Sequence, residues 1–215
     1  MSMGTFLSGV AEEFSSYLNG YKDERLVAHG AAVGLLRATD AASAELASFF
    51  GELNDVVIAF NQRQILFGDR YFRLKFKLQP IKIPADYRLK CAQLRMYSYF
   101  FKSEGAALKL ARDAEIFYDY VREHNTVSLI RFLGYDNSVR KLLQTIDEVH
   151  LRQLVTLVNG GEAGGSPLGV NMLIHDFDNT GAAYLARKAE FADLSAGLAK
   201  LELKRPLTRA ELAKK

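Results

Sequence analysis

Between Ala42 and Phe67, the residues Leu46, Phe49, Phe50, Leu53, Val56, Val57 and Phe60 recur at steps of three and four. An α-helix turns once every 3.6 residues, so this spacing stacks all seven on one face. A stripe of that size must be buried against other elements, and a core built from helices is the expectation for the whole chain. Shorter runs of the same kind surround it. Thr5 to Asn19 carries Phe6, Val10, Phe14, Tyr17 and Leu18, with Thr5 as a cap and Asn19-Gly20 as a stop. Asp23 to Ala38 carries Leu26, Val27, Val33, Leu35 and Leu36. Its Gly30 and Gly34 weaken it by about 1 kcal/mol each relative to alanine. Ala106 to His124, Thr126 to Leu133, Asn137 to Val158 and Thr180 to Leu203 read as further helices.

The period changes in one place. Phe72, Leu74, Phe76 and Leu78 alternate with Arg73, Lys75, Lys77 and Gln79 until Pro80 intervenes, which is the pattern of a strand with one apolar and one basic face. Pro84 then suits the first turn of a helix bearing Tyr87, Leu89, Leu94, Met96, Tyr97, Phe100 and Phe101. The expected fold is mainly α: a multi-helix globular domain with one short basic β-strand or hairpin near residues 71–83 and extended terminal arms. A chain of 215 residues suits one principal domain. Its expected parts are an amphipathic helix or arm over 1–20, a helical core over 21–158, a glycine-rich flexible loop over 159–169, and a C-terminal helix with a basic tail over 170–215.

Charge is distributed unevenly. Between Arg63 and Lys102 lie ten basic residues (Arg63, Arg70, Arg73, Lys75, Lys77, Lys82, Arg88, Lys90, Arg95 and Lys102) and two acids, Asp69 and Asp86. That local +8 stands against +3 for the whole chain, which leaves −5 elsewhere. Cations on one strand face and on the next helix suit the neutralisation of phosphates, while Tyr71, Tyr87, Tyr97 and Tyr99 suit stacking on unpaired bases. The plain alternative is a solvated outer face whose charges pair with acids such as Asp113, Glu115 and Asp119.

Other chemistry finds little support. Cys91 is the single cysteine, and no CxxC or Cys/His cluster suggests zinc, so a reducing, cytoplasmic setting is expected. Cys91 itself, beside Lys90 and near Arg95, reads as a packed thiol. His29, His124, His150 and His175 show no metal-ligand spacing and read as core-edge or surface histidines. Neither a secretory leader nor a membrane span is expected. The loop over residues 159–169 lacks the ending of a phosphate loop.

One segment, Asp176-Phe177-Asp178-Asn179-Thr180-Gly181 after Met172, Leu173 and Ile174, resembles the first motif of the haloacid-dehalogenase phosphatases. That resemblance implies Asp176 and Asp178 as nucleophile and general acid, at the mouth of an α/β sheet domain. The strand-helix alternation which that domain requires does not precede the segment, and 34 residues follow it. The same residues resemble the first half of an EF-hand loop, with Arg187 where a bidentate glutamate belongs. The simpler expectation is that Asp178, Asn179 and Thr180 cap the following helix.

The function expected from these features is a non-enzymatic nucleic-acid-binding protein of nucleocapsid or coat type. It would bind single-stranded RNA along Arg63, Arg70, Arg73, Lys75, Lys77, Lys82, Arg88, Lys90, Arg95 and Tyr97, and would self-assemble through its ends. A peripheral membrane or scaffolding protein is the second reading, and a phosphatase-like enzyme using Asp176 and Asp178 the third. No catalytic residue, metal or cofactor is assigned.

Overall fold

The computed structural model describes residues 3–62, 67–128, 132 and 167–208. Among them are five α-helices: α1 (Met3–Asn61), α2 (Phe67–Phe76), α3 (Tyr87–Met96), α4 (Glu104–Glu123) and α5 (Pro167–Ala199). A 3-10 turn (Ser98–Phe100) follows α3, and a π-helical turn (His124–Ser128) follows α4. The expected helix over 137–158, most of the one over 126–133, and loop residues 159–166 lie outside the described residues.

The mainly helical class stands, and the strand does not. Among the described residues no strand forms, and β pairing is limited to a single antiparallel bridge between Phe101 and Leu203. The segment read as a strand is α2, whose buried positions Tyr71 and Leu74, followed by buried Leu78, step by three and four. The alternation of Phe72, Leu74, Phe76 and Leu78 concealed that second, helical set. α2 closes with Lys77 and Leu78 donating their amides to Leu74 and Lys75 at 2.8 and 3.1 Å. A proline-bounded extended stretch then follows. Its Ile81 gains a partner from a side chain rather than a strand: Asn125 accepts from the Ile81 amide at 2.8 Å and donates to its carbonyl at 2.9 Å.

Three expected helices in the first 67 residues prove to be one continuous helix through residue 61. Glycine lowers helix stability without forbidding the helix, and no proline precedes Pro80. Gly34 also has a packing reason: a Cβ there would lie 2.5 Å from Cε of Lys90, whose stem crosses α1 at this point. α5 likewise starts earlier than expected, because Pro167, placed in the loop by composition, opens the helix at the position where a missing amide costs nothing.

The chain forms two compact units, Met1–Thr39, Pro84–Tyr118 and Asp193–Lys215 in the first, Asp40–Ile83 and Asp119–Ala192 in the second. In the first unit, Ala28, Ala31, Ala32, Ala107, Ala111 and Ala114 are buried with Leu35, Tyr87, Cys91 and Leu94. The hydroxyls of Thr39 and Tyr87 share a buried hydrogen bond of 2.7 Å. Burial, then the nearby Glu115 carboxylate, pushes the Cys91 thiol up to about 12, so it is packed and inert. Gly197 lies against Leu110, whose Cδ2 would be 2.5 Å from an added Cβ. The bridge at Phe101 and Leu203 is flanked by Lys102 donating its amide to Glu202, and Lys204 to Phe100, both at 2.8 Å.

In the second unit the core is aromatic. Phe49 and Phe132 stack with centroids 6.0 Å apart, Phe132 meets Phe177 edge-on at 4.6 Å, and Phe50 stacks on Tyr184 at 4.1 Å. His124 lies among these rings, 4.8 Å from Phe49 and 5.6 Å from Phe50. Among the described residues, no helix is long and apolar enough to cross a membrane.

Candidate nucleic-acid interface

The basic segment divides between the two units, so its cations are described in two sets. In the second unit, Arg70 donates to Asp55 at 2.6 Å. Lys77 donates to the Ser48 hydroxyl at 2.8 Å and lies 3.2 Å from the Glu52 carboxylate. Arg73 and Lys82 are exposed and Lys75 half-buried, and the Lys82 amide donates to Glu45 at 3.4 Å. Arg63 lies outside the described residues.

In the first unit, the Arg88 guanidinium sits 5.3 Å from the centre of the Tyr118 ring, within cation–π range. Lys90 pairs with Asp86 one helical turn earlier, and that contact holds the Asp86 carboxyl below its ordinary range. Arg95 pairs with Glu115 at 2.6 Å, and Lys102 with Glu202, whose carboxyl is lowered by the ammonium. Among the nine described basic residues, five face a carboxylate of their own unit. Exposed pairs contribute little stability, but they reduce the field that a polyanion would meet.

The tyrosines proposed as stacking surfaces are mostly structural. Tyr71 and Tyr87 are fully buried, and Tyr97 is half-buried beside Tyr99 and Phe100. Tyr99 is exposed and donates its hydroxyl to Glu24 at 3.1 Å. The exposed rings are ones that the strand reading assigned to an apolar face: Phe72 is 45% exposed and Phe76 80%. Separated by four residues on α2, they share a helix face, and Arg73 neighbours Phe76 three residues before it. Helical spacing of 72, 73 and 76 was the signal available for them.

Asp176 and Asp178 lie inside α5, which starts at Pro167, so the expected cap is not one. Thr180 donates its hydroxyl back to the Asp176 carbonyl at 2.6 Å, as interior helical threonines do. Two residues apart on a helix, the aspartates face different directions, so they form neither a nucleophile–acid pair nor one wall of a calcium loop. Among the described residues no group of three or more His, Cys, Asp or Glu side chains is placed to hold a metal ion.

Asp178 instead lines a cleft of about 320 Å3 in the second unit, between α1 and α5. Nothing in the sequence pattern marked this cleft, because its walls come from positions 130 residues apart. Comparison with protein-family models, with curated proteins and with solved structures gave no match.

Proposed function

We propose that this chain is a non-enzymatic helical protein that binds single-stranded RNA through the outer face of α2 and the turn after it, further copies assembling along the strand. The observation that carries this reading is the pairing of exposed Phe72 and Phe76 with the exposed cations Arg73 and Lys82. Rings with free faces stack on unpaired bases, and adjacent cations track the phosphates. Arg70 and Lys77, held by Asp55 and Glu52, brace the platform from beneath rather than contacting the ligand.

The test is fluorescence anisotropy of a labelled oligouridylate. Affinity falls about twentyfold between 50 and 200 mM salt if about three phosphates are neutralised. Phe76→Ala weakens binding by roughly tenfold, the scale of one lost stacking contact. Salt-independent affinity sinks the proposal. The second reading takes its place if phosphatidylserine vesicles, and not RNA, are bound in a Phe76-dependent way, since the same pairing of phenylalanine with lysine and arginine suits a membrane surface.

A further inference from the structure

His124 is 3% exposed, and among the described residues neither of its ring nitrogens has a hydrogen-bond partner. A buried imidazole without partners forfeits what water gave it, so an unpaired one marks either a cost accepted by the fold or a place kept for something else. The π-helical turn that holds it, His124–Ser128, belongs to a class of distortion often found where backbone is diverted for function.

What stands in front of His124 is a ring on a boundary. Phe50 contacts the imidazole with centroids 5.6 Å apart and stacks on Tyr184 at 4.1 Å with the planes 7° from parallel. Phe50 and Tyr184 both line the 320 Å3 cleft, together with Leu53, Val57, Phe177 and Leu185. The volume lies at the lower end of the range of small-molecule sites. A rotation of Phe50 about its first side-chain torsion would join the cleft to the unsatisfied imidazole, and Tyr184 would lose its stacking partner in the same movement.

We propose that the cleft is the mouth of a binding site for a small neutral aromatic alcohol, which displaces the Phe50 ring and hydrogen-bonds through its hydroxyl to His124. The flat walls select a ring: an aromatic ligand takes over the face of Tyr184 that Phe50 vacates. The imidazole selects the hydroxyl, which donates and accepts, and a neutral imidazole offers one nitrogen of each kind. An ion is disfavoured at the imidazole itself, where the surrounding rings provide nothing to solvate it, although Asp178 and Lys188 line the cleft. This site is independent of the α2 face, and either can fail without the other.

Phenol and toluene, matched in size and differing in the hydroxyl, test it by titration calorimetry on the full chain at neutral pH. The wild type binds phenol about fivefold or more tightly than toluene, the ratio that one net hydrogen bond provides. Phenol, and not toluene, moves the ring 15N resonances of His124. Phe50→Ala strengthens binding of both compounds, and His124→Phe removes the preference. If His124→Phe does not fold, the 15N shifts of the wild type decide alone. The proposal is overturned if neither compound binds to wild type or to Phe50→Ala, if the two bind equally, or if phenol leaves the His124 nitrogens unmoved.

Discussion

The two units solve the same burial problem with different materials. Among the described residues, the first buries seven alanines and four large aromatic side chains, the second two alanines and eight large aromatic side chains. Alanine brings helix axes close and leaves little volume to rearrange, as Gly34 under Lys90 and Gly197 under Leu110 also do. Ring clusters fill space with few, bulky pieces and tolerate a polar ring such as His124 among them. A core of the first kind should resist addition, and one of the second kind should suffer from removal.

Phe177→Ala, a removal from the aromatic unit, carries the largest expected effect. Phe177 is fully buried against Phe132, and its loss should cost about 3–5 kcal/mol in denaturant unfolding. A loss under about 1 kcal/mol would mean that the rings collapse into the gap, and the contrast between the units would fail.

Acid probes the same cluster. Burial lowers the His124 pKa to about 4 from an ordinary 6.5, so the folded chain refuses a proton that the unfolded chain accepts. The stability tied to neutral His124 is fully present above about pH 6.5 and is lost as pH falls from 6.5 toward 4, in total about 3 kcal/mol. His124→Phe should flatten unfolding free energy across that window. An unchanged slope in the variant would show that other groups carry the acid sensitivity.

The complementary change is Ala111→Leu in the first unit, which should destabilise by about 1–3 kcal/mol through overpacking. Tolerance of leucine there would reveal slack in a core read as closely packed. The smallest effect is Asn125→Ala, which leaves the Ile81 amide and carbonyl part-buried and unpaired, at about 1–2 kcal/mol. Amide exchange at Ile81 should accelerate while exchange in α3 of the first unit stays slow. Equal acceleration in both would mean that the units do not open separately.

Local order was readable wherever one face of one helix decided it. Leu46, Phe49, Phe50, Leu53, Val56, Val57 and Phe60 are all buried as their spacing required, and the helix expected over 106–124 is α4 within two residues. Misreadings arose where two periods coexist, as at Phe72 to Leu78, or where glycine and asparagine were taken as stops although neighbouring turns carry the helix through, as at Asn19-Gly20. The charge pattern misled for a different reason. Lys102 finds its carboxylate 100 positions away and Arg95 finds its own 20 away, so local excess did not mean bare charge. The platform of Phe72 and Phe76 depended on the helical register, and His124 on the rings of Phe49 and Phe50 drawn from α1. The first lies within five residues and needed only the right period, whereas the surroundings of His124 exist in no short window of sequence.

The backbone bridge between Phe101 and Leu203 ties residues a hundred positions apart, and it sets an order of events on the ribosome. The first unit is assembled from an early, a middle and a late stretch, whereas all of the second is contained between residues 40 and 192. The inner unit has its whole sequence available while residue 203 is still unsynthesised. The outer one must hold its alanine face and Tyr87 in waiting. Closure entropy rises only by about 0.6 kcal/mol for each doubling of the loop, so the delay is mainly one of synthesis, not of equilibrium. At roughly 5–20 residues per second, the hundred residues after Phe101 take about 5–20 seconds to make. Throughout that interval the nascent first unit exposes apolar surface that the finished molecule hides, and it is then that a chaperone has most to hold.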